Sequence, residues 1–378
     1  MELSLVNILS VIILFQLLLL ILFLFSSSKG KKVSNYLLAV FFLLLFFNIA
    51  DGLLSYYGWF TDHPQYAHIE DGFVFLLGPV LYFYTVSIIF KDFKWRLAHA
   101  LHLIPFVMTT LSYQVFYHLQ TEEYQRMIQT SITHQTLPAS FYVSIVIIYF
   151  HLGGYLFVSF RNIFFYRIEI RNQFSSTRKI DLDWLTFMLG SVAAVLLASA
   201  VFTFLPVVGL QEYLNYMFVV AFVVLFVFVS VVVWKGLKQP ELFSGIDSDS
   251  GSEKKYAGSS LSERERKDIK KNLEEFMIRE KPFLDPDLSL DQLARSLNTT
   301  SKKLSQCINE EFSQNFFDYV NSSRIAEAQR IFRENKDPRL TVLEVMYQCG
   351  FNSKSSFNTI FKAKTGVTPS AFKKGTVD

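Results

Sequence analysis

The sequence predicts an all-α protein in two parts: an N-terminal seven-helix transmembrane bundle, then a cytoplasmic all-helical domain with two helix-turn-helix motifs. Three observations lead there. Apolar runs of about 20 residues, the length a helix needs to cross a bilayer, recur through the first two-thirds of the 378 residues. Beyond residue 260 the apolar residues fall instead at three- and four-residue steps, the pattern of amphipathic helices. Within that tail, a pattern of two short helices around a polar turn occurs twice. Composition agrees, since 51% hydrophobic residues, with 40 Phe and 18 Tyr, is too apolar for an ordinary soluble chain. Residues 1–260 hold 16 Lys/Arg and 16 Asp/Glu, whereas the shorter stretch 261–378 holds 20 and 17 and lacks any long apolar run.

The expected spans lie near residues 3–25, 33–54, 72–90, 97–117, 139–161, 184–205 and 212–234, which makes 1–235 the transmembrane domain. The first span has no basic segment before it and too long an apolar core for a signal peptide, so it reads as a retained helix. Basic residues gather on the cytoplasmic side of membrane proteins. Here they follow span one (Lys29, Lys31, Lys32), span three (Lys91, Lys94, Arg96), span five (Arg161, Arg167, Arg171, Arg178, Lys179) and span seven (Lys235, Lys238). The other loops, 55–71, 118–138 and 206–211, contain Arg126 as their one Lys or Arg. Every loop therefore places the N-terminus outside and the C-terminal tail in the cytoplasm.

Polar groups inside the membrane are costly and often functional. The candidates are His99 and His102 near the inner end of span four, His151 in span five, and Asn48 and Asp51 near the outer end of span two. Helix-to-helix hydrogen bonding or interfacial placement is the competing reading of each. Span seven has no lysine before Lys235, which excludes a retinal Schiff base. No Gly-rich phosphate loop, HExxH pair or Ser-centred nucleophile elbow occurs, so no enzyme, catalytic residue, metal or cofactor is expected. The two cysteines, Cys307 and Cys349, fall at helix positions expected to be buried, and no oxidising compartment is implied.

Residues 236–260 are rich in Ser, Gly and charge, with Pro240 ending the last span, and read as a flexible linker. Such a chain reaches roughly 25 to 30 Å on average and about 85 Å at most. The tail, 261–378, opens on a helix marked by Ile269, Leu273, Phe276 and Met277. Pro282 and Pro286 break it. The first helix-turn-helix, about 289–312, consists of "SLDQLARSL" capped by Ser289, the turn "NTT", and "SKKLSQCINEEF". In its second helix Leu304, Cys307 and Ile308 face inward, while Lys302, Ser305, Gln306 and Asn309 form an outer stripe. That stripe has donors and acceptors suited to base edges and phosphates, and a merely solvated face would read the same.

Repetition favours the first reading. "LSLDQLARSLNTTSKKLSQCI" overlays "LTVLEVMYQCGFNSKSSFNTIF" at a shift of 52 or 53 residues, giving a second motif at about 341–365. There Phe357, Ile360 and Phe361 face the core and Lys354, Ser355, Asn358, Thr359 and Lys362 face out. A connecting helix of 21 residues at about 315–335 would span about 31 Å. One turn of DNA is about 34 Å, so it suits two recognition helices in successive major grooves.

Residues 270–375 resemble the DNA-binding domain of the AraC/XylS family of bacterial transcription regulators, on "LSLDQLARSLNTTSKKLSQCINEEFSQNFFDYVNSSRIAEAQRIF" and "VMYQCGFNSKSSFNTIFKAKTGVTPSAFKK". Gly350, Phe351, Phe357, Phe361, Lys362, Gly366, Thr368 and Pro369 match the second motif of that family. Ser313 departs from it, standing where the first copy usually has glycine. The family's usual soluble effector domain is replaced by the seven spans, a layout that some members share, so no effector carries over. The resemblance implies that Lys302, Ser305 and Gln306, with Lys354, Ser355, Ser356 and Thr359, face DNA. Gln306 suits adenine, and the lysines suit guanine or bare phosphate. Ser356, beside a core aromatic, also reads as a packing or helix-starting residue.

The expected function is a membrane-anchored, sequence-specific transcription regulator in the bacterial cytoplasmic membrane that couples a membrane or extracytoplasmic signal to promoter binding. Its expected partners are double-stranded promoter DNA and the lipid bilayer, with RNA polymerase and a second copy of the chain as further candidates and the effector left open. The rival readings are a transmembrane receptor or transporter whose tail is a protein-interaction module, and a lipid enzyme built on the scattered histidines.

Overall fold

The computed structural model describes residues 5–26, 32–90, 93–133, 139–177, 182–205, 209–210, 213–238, 261–335, 337 and 339–375. Nearly all of the expected linker, with Lys29, Lys31, Lys91, Arg178 and Lys179 of the expected inner loops, lies outside the described residues. The chain divides into two compact units, Met1–Phe164 with Leu182–Asp247, and Phe165–Asp181 with Ser248–Asp378.

The first unit comprises α1 (Leu5–Ser26), α2 (Lys32–Tyr56), α3 (Trp59–Asp62), α4 (Val74–Ile89), α5 (Ile104–Tyr113), α6 (Glu122–Thr133), α7 (Ala139–Gln173, whose last residues belong to the second unit), α8 (Asp183–Phe204) and α9 (Leu214–Lys238). Among the described residues five stretches are long and apolar enough to cross a membrane: Leu5–Ser26, Lys32–Tyr56, Pro64–Ile89, Phe141–Gln173 and Asp183–Phe204. Val219–Trp234 within α9 is apolar but shorter. The expected fourth span is not one α-helix. A 3-10 helix over Leu97–Leu103 leads into α5, and a π-helical turn follows over Gln114–His118. Pro105 lies at the start of α5, where a ring without an N–H cannot continue a helix already under way.

In this unit α1 packs on α2 and α9, α2 on α4, and α8 on α9. Sparse hydroxyl and amide contacts join the helices: Ser34 with Ser87 at 2.9 Å, Gln16 Nε2 donating to Ser230 Oγ at 3.1 Å, and Tyr149 with Thr203 at 2.9 Å. Phe15, Phe116, Phe150, Phe157 and Leu197 are all more than half exposed. Apolar side chains thus cover the outside of these helices as well as their packed faces, the distribution that a hydrocarbon solvent demands and water penalises.

The second unit holds α10 (Glu263–Arg279), α11 (Leu290–Ser296), α12 (Ser301–Phe312), α13 (Phe316–Glu334), α14 (Val342–Gln348), α15 (Lys354–Thr365) and α16 (Pro369–Lys374). Local chemistry accounts for the start of each helix. Ser262, Ser289 and Thr341 close capping boxes with Glu265, Gln292 and Glu344, and Thr300, Asn315, Ser353 and Thr368 each accept from a first-turn N–H.

The sequence repeat is also a repeat of backbone. α11 and α14 are each 7 residues long, α12 and α15 each 12. Both turns pivot on a left-handed residue, Asn298 (φ 51°) and Gly350 (φ 79°), and both second helices end on one, Ser313 (φ 53°) and Gly366 (φ 81°). Each helix pair has its own core. Leu273, Met277, Phe283, Leu293, Leu304 and Ile308 pack around the first, and Val345, Met346, Phe351, Phe357 and Phe361 fill the second. α13 joins them, placing Phe316, Tyr319 and Val320 in the first core and Ile325, Ala328 and Phe332 in the second.

Candidate nucleic-acid interface

The two core faces fix which side chains of α12 and α15 look outward. On α12, Leu304, Cys307 and Ile308 are fully buried; Lys302 and Asn309 are exposed, and Ser305 and Gln306 half-buried. On α15, Phe357 and Phe361 are fully buried while Lys354, Ser355, Asn358, Thr359 and Lys362 are exposed. Ser356 is half-buried and gives its N–H to the cap Ser353 at 3.4 Å, so it is placed as a helix-starting residue at the edge of the outer face. Nine of the ten sequence-selected residues therefore fall on two polar stripes, one per helix pair.

The stripes differ electrostatically. α12 is tied to α10 by an ion-pair network: Lys303 Nζ to Glu265 at 2.9 Å, Arg266 to Glu310 at 2.8 Å and to Glu311 at 2.9 Å, and Lys270 to Glu311 at 3.0 Å. Gln306 Nε2 donates to Glu310 Oε1 at 2.8 Å, so this amide joins the edge of that network. α15 carries Lys354, Lys362 and Lys364 and no acid. Among the described residues none of these three lysines has an ion-pair partner, and all three are exposed. Three uncompensated cations on one helix are suited to phosphate oxygens, whose attraction needs no particular base.

Sequence reasoning missed the α10 to α12 network, because contacts between residues some 40 positions apart leave no local spacing. It also missed Arg324, which is 1% exposed on α13 beneath both helix pairs. The thiols behave as core groups: burial pushes Cys307 up to about 11 and Cys349 up to about 12, and neither forms a disulfide.

Of the candidate polar residues of the first unit, the three histidines are engaged in packing. His102 Nδ1 hydrogen-bonds Tyr155 OH at 2.5 Å, His151 Nε2 meets the Phe75 carbonyl at 3.0 Å, and His99 stacks on Phe93. Asp51 lies with Glu70 and Asp71, their carboxylate oxygens within 4.8 Å of one another. Asn48, Glu70 and Asp71 border an otherwise mostly apolar cavity of about 830 Å³.

Residues 293–375 match a family described as "Helix-turn-helix domain". The match runs from within α11 to the end of α16 and so includes both helix pairs except the first turn of α11. Among solved structures, the C-terminal domain of AraT, a response regulator from Geobacillus stearothermophilus, is similar at 23% identity, over 31% of this chain and 88% of that one, with a TM-score of 0.25. No curated protein matches the chain.

Proposed function

We propose that this chain is a membrane-anchored transcription regulator of the AraC/XylS type, in which two helix-turn-helix units at about 289–312 and 341–365 read promoter DNA. The observation that carries the reading is the duplication: two helix pairs of equal length, with left-handed pivots at equivalent places, hang from one helix of 19 residues. At 1.5 Å per residue α13 is about 28 Å long, close to the roughly 34 Å between successive major grooves on one face of a duplex. Lys302, Lys354 and Lys362 then contact phosphate or guanine, and Ser305, Gln306, Asn309, Ser355, Asn358 and Thr359 meet base edges.

Five long apolar stretches and the shorter one in α9 support membrane anchoring. With residues 97–118 as a broken crossing, they make seven spans, N-terminus out, and the loop charges then put the DNA-reading units in the cytoplasm. The spans sense the signal and bias the tail between two arrangements. Pairing of two copies in the membrane would raise the local concentration of the second DNA-binding domain at paired sites.

The test is chromosomal mapping with the full-length protein, followed by titration of recovered fragments against random duplex at increasing salt. Binding that prefers recovered fragments by a factor of about 10³ or more supports the reading. Equal affinity for random duplex would sink it. Gln306→Ala and Ser355→Ala should then relax preference at the contacted bases by about 1 to 3 kcal/mol each.

A further inference from the structure

Arg324 poses a problem of charge burial. Its guanidinium is 1% exposed, yet every hydrogen bond it makes is to a neutral acceptor. Nε donates to the Phe283 carbonyl at 2.7 Å, and Nη2 to the Asp285 carbonyl at 2.6 Å and Ser175 Oγ at 3.0 Å. Nη1 donates to the Ser175 carbonyl and to Asn321 Oδ1, both at 3.2 Å. Desolvation brings the group down to about 10, which still leaves it charged at neutral pH. Two of its five acceptors thus come from one residue, Ser175, far away in sequence.

Ser175 is itself 1% exposed and fully engaged. Its N–H and its Oγ both donate to the Leu288 carbonyl, at 3.2 and 2.7 Å, and its carbonyl also accepts from Asn321 Nδ2 at 3.1 Å. Its neighbour Phe174 forms an antiparallel bridge with Ser289, and the Arg171 guanidinium sits 5.8 Å from the Phe317 ring centre. These contacts all lie inside the second unit, which takes in Phe165–Asp181.

The place where this segment docks is the joint between the two helix pairs. Phe283 belongs to the first core, and Phe351, whose ring lies 5.6 Å from the Arg324 guanidinium, belongs to the second. Gly350, the pivot of the second turn, is packed against the Phe283 and Leu284 carbonyls so closely that a Cβ would come within 2.6 Å of the former. The Phe283–Asp285 turn that Arg324 holds is thus the same turn that seats the second helix pair. Taking Ser175 away would strip a buried cation of two acceptors, and a buried charge left short of partners forces rearrangement around it.

We propose that Phe174–Ser175 is the built-in ligand of this joint, an extended segment recognised through its backbone and one hydroxyl, and that its docking sets the angle between the two DNA-reading units. Among the described residues none of the ten sequence-selected residues hydrogen-bonds Ser175 or Arg324, so the segment acts on the spacing of the recognition helices. The segment starts one residue beyond α7, an unbroken helix whose residues 139–164 belong to the first unit. Displacement of that helix end would therefore bear directly on Ser175. The regulatory part of the inference rests on the DNA-reading role proposed above.

The experiment uses the full-length chain in lipid nanodiscs with the pair Phe174→Cys and Ser289→Cys. Residues facing each other across an antiparallel bridge lie within disulfide reach, the native thiols are buried, and the reduced double variant serves as its own control. The pair should oxidise under mild conditions. Amide exchange over Tyr347–Ser353, across the joint, should then be slower in the oxidised than in the reduced form, and faster in Ser175→Leu than in wild type. Affinity for a duplex selected from a random pool should differ by about tenfold between the two redox forms, within the range typical of coupled sites. Failure to oxidise, or oxidation with exchange across the joint unchanged, overturns the docking claim whatever the DNA does. Docking with affinity unchanged between the redox forms overturns its regulatory part. Failure to select any duplex instead strikes the proposed function, and the exchange measurement still decides the joint.

Discussion

Replacing Gly350 by alanine should destabilise the second helix pair severely, and Gly366 in the same protein provides the internal control. Both residues are left-handed, at φ 79° and 81°. A side chain there costs about 1 to 2 kcal/mol from the contact between Cβ and the following carbonyl. At Gly366 a Cβ meets nothing within 4 Å, so Gly366→Ala should lose only that amount. At Gly350 the same Cβ lies 2.6 Å from the Phe283 carbonyl oxygen and 2.7 Å from that of Leu284, both backbone atoms that cannot swing aside. Relief requires the turn to move by most of an ångström, disturbing a carbonyl that Arg324 holds at 2.7 Å. Overpacking of this kind adds about 1 to 3 kcal/mol, so Gly350→Ala should lose about 2 to 5 kcal/mol in all. Amide exchange over Val345–Thr365 in the full-length chain in lipid nanodiscs, which keeps Ser175 in place, measures the difference. Equal losses for the two variants would refute the close approach of this turn to Phe283 and Leu284.

Three further outcomes are expected. Ser313→Gly should stabilise the first helix pair by about 1 kcal/mol in the full-length chain, read by amide exchange over α12, because the serine is held at φ 53° where glycine has no Cβ to strain; faster exchange in the variant would count against this. Lys354→Ala and Lys362→Ala should each lower the slope of log affinity against log salt by about 0.9 if each lysine meets one phosphate, whereas Asn358→Ala should leave that slope alone and alter base preference. Glu327 is held at about 2 by hydrogen bonds from Arg330, aided by Lys281 and opposed by partial burial. Its folded value lies below the ordinary carboxylate value near 4.3, so its contribution is present above that value and lost as pH falls toward 2. The wild type should accordingly lose more stability than Glu327→Gln between pH 5 and 2, and parallel pH curves would contradict that assignment.

Much of the candidate interface was legible because it obeys a local rule. Phe357 and Phe361 lie one helical turn apart and are both fully buried, and that spacing alone puts Ser355, Asn358, Thr359 and Lys362 on the other side. Ser289 and Thr300 are capping residues as their side chains allow. Ser313, the departure from the glycine of the resembled family, still takes the left-handed cap, at a cost of about 1 to 2 kcal/mol. The expected fourth span was harder to read, because hydropathy records the apolarity of residues 97–117 but not the hydrogen-bond register that Pro105 interrupts.

The sequence by itself determined the number of helix pairs, their facing, their caps and the long apolar stretches, all properties of neighbours within one or two turns. Tertiary structure alone decided how the joint between the pairs is held. Arg324 reads in the sequence as one more cation on a polar helix, and Ser175 as a loop serine. Their meeting, 149 positions apart, follows from a physical demand without a periodic signature: a buried guanidinium must have every donor met, and only the folded chain brings enough carbonyls to one point.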